Sequence, residues 1–196
     1  MTEQPITPQP TSDEELRAAW IGDVPVLGGP VYLADYDPEW PVLYEREAAR
    51  MRSVLGDRIR RLEHIGSTSV PGIPAKPIVD MLLVLDDSGD EAIYVPDLEA
   101  AGYRLVIREP DWHEHRVFKG PDTNINLHVY TLGDAEIDRY LIFRDWLRAH
   151  DDERDLYAQT KRELAGRTWK YVQHYADAKG EVVEGIIARA GGPARL

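Results

Sequence analysis

The chain has 196 residues, 43% hydrophobic and 30% charged, which is ordinary for one globular domain with or without an added arm. Asp and Glu outnumber Lys and Arg by 35 to 23, and the net charge of −12 disfavours sequence-independent binding to nucleic acids or to anionic membrane surfaces. A small anionic ligand is still compatible with this charge, because a local cluster of basic groups and backbone amides can hold it.

Cysteine is absent, which excludes disulfides, cysteine-ligated zinc, iron–sulfur clusters and a thiol nucleophile. The first twenty residues lack the basic and apolar regions of a secretory signal. The longest apolar run, 81–85, is far too short to span a membrane. We therefore expect a cytoplasmic protein without membrane partners.

The first thirty residues have the composition of an arm. Residues 1–11 contain three prolines and predict a disordered start. Ser12 and Glu15 have the spacing of a capping box, which predicts a short helix after them. Residues 21–30 are rich in Gly and Pro, as in a linker. The sequence therefore predicts that residues 1–30 form a peripheral arm.

The next part of the chain alternates between the strand and helix patterns. Residues 77–85 form a nearly continuous apolar run that is typical of a buried central strand. The segments 115–119 and 125–131 flank a Gly-Pro-Asp turn and predict a hairpin. Over residues 31–132 the pattern predicts strands at 31–36, 59–65, 77–85, 103–107, 115–119 and 125–131, and helices at 38–55 and 91–101.

Residues 133–196 have a helical pattern, with three helices predicted at 134–150, 153–167 and 168–190. The fold class is therefore α/β, of the α+β kind: a small mixed sheet followed by a helical C-terminal part.

Four small residues, Gly66, Ser67, Thr68 and Ser69, directly follow the strand 59–65. Glycine lets a backbone approach a ligand closely, and hydroxyl and amide groups can hold phosphate oxygens. The same residue types also stabilise tight turns with their own side chains. The loop is therefore either a phosphate-binding site or a structural turn.

Asp80 is the only charge in the apolar run 77–85. A buried carboxylate is costly unless it is paired or ligates a metal, so Asp80 is a candidate catalytic residue and metal ligand. A structural ion pair with Lys76, Arg104 or Arg116 is the alternative. Lys76 is also a ligand-binding candidate.

The strand 125–131 alternates between apolar and polar side chains. Its odd-numbered residues are expected to pack on the core, and Asn126, His128 and Tyr130 to face the opposite side. A polar row next to Asp80 would line a cleft. His128 is either a catalytic residue there or a hydrogen-bonded structural residue, and Asn126 is a ligand-binding candidate.

Two further segments contain candidate groups. His113 and His115 have a spacing that can bind a metal but that also occurs by chance in loops, and Arg116 has the planar fork of an anion clamp. In the last helix, Tyr175 and Lys179 either close the cleft over a ligand or belong to a core stripe with a solvated lysine. Lys161, in the preceding predicted helix, is a weaker candidate for the same role as Lys179.

The segments HIGSTSVPGIPAKPIVD, NINLHVY and YADAK resemble the GrpB family, and the resemblance extends over about 31–190. This family has a nucleotidyltransferase-like fold and also occurs as an extra domain on dephospho-CoA kinases. The resemblance implies a nucleotidyltransferase-like core at 31–132 with a helical cap at 133–196.

The wider nucleotidyltransferase superfamily has a Gly-Ser pair, then Asp-x-Asp on a strand, and a third acid on a later strand. Gly66 and Ser67 match the pair and Asp80 matches the first acid, but Leu82 stands at the second and His128 or Asn126 is nearest to the third. The superfamily uses its acids to hold two Mg²⁺ ions. With one acid, we expect Mg²⁺ or Mn²⁺ to bind only when the phosphates of a ligand complete the site.

Three functions are compatible with this resemblance. The first is a nucleotidyltransferase acting on a small acceptor, with Gly66–Ser69 on the phosphates, Asp80 as metal ligand or base, and His128 assisting. The second is a non-catalytic module that binds a nucleotide or CoA. The third is a metal-free acid–base enzyme that uses Asp80 and His128. In the first two, the partner is a small anionic ligand, either a nucleotide or a CoA-like molecule.

Overall fold

The computed structural model describes residues 10–194, which form seven strands and seven α-helices. In chain order these are α1 (Asp13–Ala19), β1 (Val26–Gly29), α2 (Glu39–Leu55), β2 (Arg61–Ile65), β3 (Val79–Leu85), α3 (Val95–Ala100), β4 (Arg104–Glu109), β5 (His115–Lys119), β6 (Ile125–Thr131), α4 (Ala135–Ala149), α5 (Asp151–Ala165), β7 (Trp169–Tyr171), α6 (Val172–Asp177) and α7 (Gly180–Arg189).

Five of the strands form one mixed sheet in the order β2-β3-β6-β5-β4. β3 and β6 run parallel, and the other neighbours are antiparallel. The predicted α+β class with a small mixed sheet is thereby confirmed. β3 is the buried strand that its apolar run predicted, and β5 and β6 form the predicted hairpin.

The two faces of the sheet are covered by different helices. Met81, Leu83, Leu127 and Val129 are fully buried against α2 and α3, as the alternation of β3 and β6 predicts. The opposite face packs on α4 through a second cluster of buried residues, Ile65, Leu82, Val84, Tyr130, Ile137 and Leu141. Asp80, Asn126 and His128 lie on this second face, at the end of the strands where the apolar cluster stops.

The helical part differs from the prediction at its end. α4, α5 and α7 pack on one another and on the loop after Ser69, through residues that include Val70 and Ile73. The helix predicted at 168–190 is wrong, because Trp169–Tyr171 instead forms β7 and pairs with β1. The chain then continues as α6 and α7, with Lys179 between them.

The described part of the N-terminal segment contacts the rest of the chain. The predicted capping box of Ser12 and Glu15 is present at the start of α1, and Leu16 is only 4% exposed. Trp20 forms a bridge to Ile107 at the edge of the sheet. Of the predicted disordered start, residues 1–9 lie outside the described residues, and the boundaries 1–30, 31–132 and 133–196 stay a prediction.

Two local predictions in this region are wrong. Residues 26–29 form β1 and not a linker, because β7 supplies a pairing partner that is distant in sequence. The predicted strand at 31–36 is reduced to one bridge between Ala34 and Ala75. The backbone of this segment bonds two separate parts of the chain, since the Val31 amide donates to the Ala165 carbonyl and the Ala34 amide donates to the Ala75 carbonyl.

No helix within residues 10–194 combines the length and the apolar character that crossing a membrane requires.

Candidate functional site

Asp80 is the centre of the polar group on the α4 face of the sheet. The Asn126 side-chain amide donates to Asp80 Oδ1 at 2.7 Å, and His128 Nε2 lies 3.9 Å from the same oxygen. Burial alone raises the pKa of Asp80, but the neighbouring His128, Lys76 and Asn126 outweigh it and bring the pKa below its usual value. Asp80 is therefore an ionised carboxylate inside a polar cluster.

Gly66 lies directly against this carboxylate. It follows β2 with φ 66° and ψ −172°, a conformation that only glycine adopts readily. A Cβ atom at this position would lie 2.5 Å from Asp80 Oδ2 and 3.0 Å from Asp80 Cβ. The Gly-Ser element and the strand aspartate of the sequence motif are thus in contact, and glycine is required there by Asp80 itself.

The other residues of the loop have different contacts: Thr68 and Ser69 bond within the loop region, and Ser67 bonds a residue of α5. Ser67–Ser69 forms one turn of 3₁₀ helix. Thr68 and Ser69 are buried and engaged internally, since Thr68 Oγ1 bonds His64 Nε2 at 3.0 Å and the Ser69 hydroxyl donates to the Gly66 carbonyl at 2.6 Å. Ser67 is half-buried and hydrogen-bonds Tyr157 of α5. Gly66 and Ser67 are therefore the loop residues that adjoin the polar cluster.

Four lysines surround Asp80, and we call them the lysine cluster: Lys76, Lys119, Lys161 and Lys179. The charge of Asp80 acts on the pKa of each one, and Lys76, Lys161 and Lys179 repel one another. Burial lowers the pKa of all four, to about 8 for Lys179 and well below the usual value for Lys161. Four lysine side chains thus lie within electrostatic range of one carboxylate in a protein whose net charge is −12.

Part of the lysine cluster is already bonded to the protein. The Lys119 ammonium donates to Asn126 Oδ1, and the Lys161 ammonium donates to the Pro74 carbonyl. Lys161 is only 2% exposed, so it is oriented by the loop before β3. Lys179 lies with its Nζ 4.5 Å from the centre of the Tyr175 ring.

Two buried tyrosines lie beside the lysines. Burial raises the pKa of Tyr157 to about 12, and Lys161 Nζ lies 5.3 Å from its ring centre. Tyr175 is fully buried, and within residues 10–194 its hydroxyl has no hydrogen-bond partner. A buried hydroxyl without a partner is costly, and such groups usually have a missing partner such as a ligand or water.

His128 belongs to a chain of three side chains on the same face. Its Nδ1 lies 3.0 Å from His115 Nε2, and His115 Nδ1 lies 2.7 Å from Glu109 Oε2. Burial lowers the pKa of His115 to about 4. The His115 ring is enclosed by Tyr130 and Trp112, at centroid distances of 4.7 and 5.4 Å.

Two residues predicted from the sequence lie away from this group. Arg116 points to the other face of β5, where it is 4% exposed and its Nε is bonded to Glu91 Oε1 at 2.5 Å. The anion clamp predicted at Arg116 is therefore not part of the site. His113 lies in the loop before β5 with φ 55° and bonds Asp134, so it does not share a face with His115 as a metal-binding pair would.

The structure brings the other candidates together. Gly66, Asp80, Asn126 and His128 form a connected group, and Lys76, Tyr175 and Lys179 adjoin it. A cavity of about 380 Å³ opens beside the loop, next to His64, Ser69 and Arg148. Asp80 does not line it. The lysine cluster, and not this cavity, lies beside the Tyr175 hydroxyl, a buried polar atom without a hydrogen-bond partner in the described part of the chain.

The residues do not fit a resident two-metal centre. Within residues 10–194, no group of three or more His, Asp or Glu side chains is arranged to hold a metal ion. Leu82, at the position of the second acid, is fully buried in the apolar cluster. The ammonium groups around Asp80 also oppose a divalent cation.

Sequence reasoning missed Glu109, Lys119 and Tyr157. For Lys119 a signal was present: it is four residues from His115 on a strand, so both side chains share one face, and Arg116 lies on the other. Lys119 is opposite Asn126 in the sheet. Glu109 and Tyr157 approach from β4 and α5, and no local pattern connects them with Asp80.

The fold and this site define an α+β protein with a lysine-rich polar cluster on one face of a mixed sheet. The chain belongs to the GrpB family, whose profile, described as GrpB protein, matches residues 30–189. The crystal structure of conserved protein GrpB from Enterococcus faecalis is similar, with a TM-score of 0.71 and 29% identity over 81% of this chain and 96% of that one.

Relatives with other names are similar as well. UPF0157 protein BH1888 of Halalkalibacterium halodurans is 59% identical over 92% of this chain and 93% of its own length. A dephospho-CoA kinase of Mycolicibacterium paratuberculosis is 29% identical over 79% of this chain, and the match covers 44% of the kinase. The similarity therefore extends to part of a longer protein.

Proposed function

We propose that the protein binds a small phosphate-bearing molecule, a nucleotide or CoA-like ester, at the lysine cluster and acts on it as a nucleotidyltransferase with a small acceptor. The observation that carries this proposal is the set of four lysines near Asp80, of which Lys161 is buried and the other three are partly buried, beside a Tyr175 hydroxyl that has no hydrogen-bond partner within residues 10–194. Desolvated cations that lower one another's pKa are stabilised when an anion binds between them.

The residues support a transfer step in which His128 is the base. The acceptor oxygen attacks the α-phosphorus and forms a new P–O bond, and the bond from the α-phosphorus to the leaving pyrophosphate breaks. The acceptor proton moves to His128 Nε2, which lies 3.9 Å from Asp80 Oδ1. Asp80 then stabilises the protonated imidazole, while the lysines neutralise the phosphate oxygens.

A second candidate is a non-catalytic module that binds the same class of ligand. The burial of Leu82 in the apolar cluster favours it, because this residue cannot supply the second acid of the superfamily. The dephospho-CoA kinase among the relatives points to a CoA-like ligand for such a module. Both candidates use the lysine cluster, so they differ in turnover and not in the place of binding.

A two-stage experiment tests these proposals. Thermal denaturation with a panel of nucleotides and CoA derivatives first identifies a ligand, since binding to the folded state raises its melting temperature. Pyrophosphate release with candidate acceptors is then measured for wild type, Asp80→Asn and His128→Asn, with His174→Asn as a control. His174 bonds the Thr11 carbonyl, away from the cluster.

Release that is lost in Asp80→Asn and His128→Asn but kept in His174→Asn supports the transferase. Binding without release, at the same lysines, supports the module. A panel in which no phosphate-bearing compound raises the melting temperature would contradict both.

A further inference from the structure

The geometry points to Glu109 and His115 as positioning residues that fix the tautomer of His128 and leave its Nε2 free to accept a proton. This inference rests on the proposed function for its catalytic meaning. The tautomer itself is a property of the free protein and can be measured without any ligand.

The argument starts at Glu109. An ionised carboxylate only accepts hydrogen bonds, so the 2.7 Å contact between Glu109 Oε2 and His115 Nδ1 requires a proton on that nitrogen. Glu109 has 32% of its side chain exposed and lies at the end of β4. The carboxylate therefore sets the Nδ1–H tautomer of His115.

The second step follows from the burial of His115. The ring is 5% exposed, and burial lowers its pKa to about 4, so His115 is neutral near pH 7 and has one ring proton. Because Nδ1 holds that proton, Nε2 is an acceptor. The 3.0 Å contact between His115 Nε2 and His128 Nδ1 is then a hydrogen bond that His128 donates.

The third step gives the state of His128. A neutral imidazole with its proton on Nδ1 has a bare Nε2, which faces Asp80 Oδ1 across 3.9 Å. This distance is longer than an N–H···O hydrogen bond, so the 3.0 Å contact with His115 takes the single proton of a neutral His128, and a second proton on Nε2 forms the cation that lowers the pKa of Asp80. This arrangement places the lone pair of His128 Nε2 and the Asp80 carboxylate next to the space where an acceptor hydroxyl would donate its proton.

Neighbouring aromatic rings and burial fix the orientation of the His115 ring between Glu109 and His128. His115 and His128 rings are nearly parallel, with an interplanar angle of 9°. Tyr130 stacks on His115, and Trp112 meets its edge. Among the charged groups, Arg116 and a protonated His128 oppose a charge on His115, and Glu109 favours one. Burial and these rings leave His115 little freedom to rotate and exchange its two nitrogens.

Long-range proton–nitrogen correlation NMR of the ¹⁵N-labelled full chain measures the tautomers directly near pH 7. The result expected for wild type is a protonated Nδ1 and a bare Nε2 in both His115 and His128. Glu109→Leu removes the carboxylate at a partly exposed position, and His115→Phe removes the acceptor while filling its space. Both variants should lose the fixed Nδ1–H tautomer of His128, and His113→Gln should keep it.

If a transfer activity is found, Glu109→Leu should lower kcat about tenfold or more with KM unchanged, within the range of general base catalysis. A wild-type His128 with its proton on Nε2, or a tautomer unchanged in both variants, would overturn the inference. Failure of every phosphate-bearing ligand to bind, with the tautomers as expected, would overturn the proposed function and support the positioning of His128.

Discussion

Replacing Gly66 with alanine tests the contact between the small-residue loop and Asp80. The new Cβ would lie 2.5 Å from Asp80 Oδ2, in a backbone conformation with φ 66°. The backbone strain costs about 1–3 kcal/mol. The Asp80 carboxylate must also turn away from Asn126, and losing that charge-assisted hydrogen bond costs about 1.5–3 kcal/mol.

Gly56→Ala is the matched control, because Gly56 has φ 55° and its added Cβ would have no neighbour within 4 Å in residues 10–194 beyond the adjacent chain. Both variants carry the backbone strain, so Gly66→Ala is expected to exceed Gly56→Ala by about 1.5–3 kcal/mol in the free energy of unfolding. Urea denaturation of both variants measures this difference.

A double-mutant cycle identifies the source of the excess. In an Asp80→Gly background both the carboxylate and the Cβ are gone, so the extra cost of Gly66→Ala should largely disappear. Equal costs for Gly66→Ala and Gly56→Ala in the wild-type background would refute the reasoning. An excess that persists without the carboxylate would refute it as well.

Three further predictions concern other parts of the protein. Calorimetric titration of Mg²⁺ and Mn²⁺ should show no binding in the micromolar range to the ligand-free protein. Metal binding should appear when a phosphate ligand is present and should be lost in Asp80→Asn. Micromolar binding without a phosphate ligand would show that the protein supplies more metal-coordinating groups than Asp80. Leu16→Ala should lower the free energy of unfolding by about 2–5 kcal/mol because Leu16 is 4% exposed, and a negligible change in urea denaturation would contradict this contribution of α1 to the core. Burial lowers the pKa values of His64 and His115 to about 4, below the usual value of 6.5. Between pH 4 and 6.5 the unfolded chain therefore binds more protons than the folded one, and the free energy of unfolding should fall as the pH drops from 6.5 to 4. If His115→Phe leaves the dependence of the free energy of unfolding on pH unchanged, this prediction is contradicted.

The strand patterns predicted that Asn126 and His128 lie beside Asp80. The alternation in β6 identified Asn126 and His128 as one polar face, and the charge of Asp80 in an apolar strand located its neighbour. The same alternation rule applied to β5 excludes Arg116 and favours Lys119. An arginine guanidinium is a common anion-binding group, but the alternation of side chains along β5 decides which residue lies on the face of Asp80.

Long-range pairing limited the rest of the prediction. β7 is three residues long and exists because β1, far earlier in the chain, pairs with it, so a helical periodicity over 168–190 could not reveal it. The convergence of the lysine cluster has the same origin. Its members come from the loop before β3, from β5, from α5 and from the junction of α6 and α7, and only the tertiary fold brings them to Asp80.

Calorimetric titration with tripolyphosphate tests the central claim, that the lysine cluster binds a phosphate-bearing anion. Wild type is compared at pH 7 and pH 9 with Lys179→Gln and with Lys170→Gln, since Lys170 is an exposed lysine that pairs with Asp13. Because the pKa of Lys179 is about 8, affinity should fall as the pH rises through that value, and Lys179→Gln should bind more weakly at pH 7 and lose less affinity than wild type between pH 7 and pH 9. Wild-type affinity in Lys179→Gln, or an equal loss in Lys170→Gln, would contradict the account.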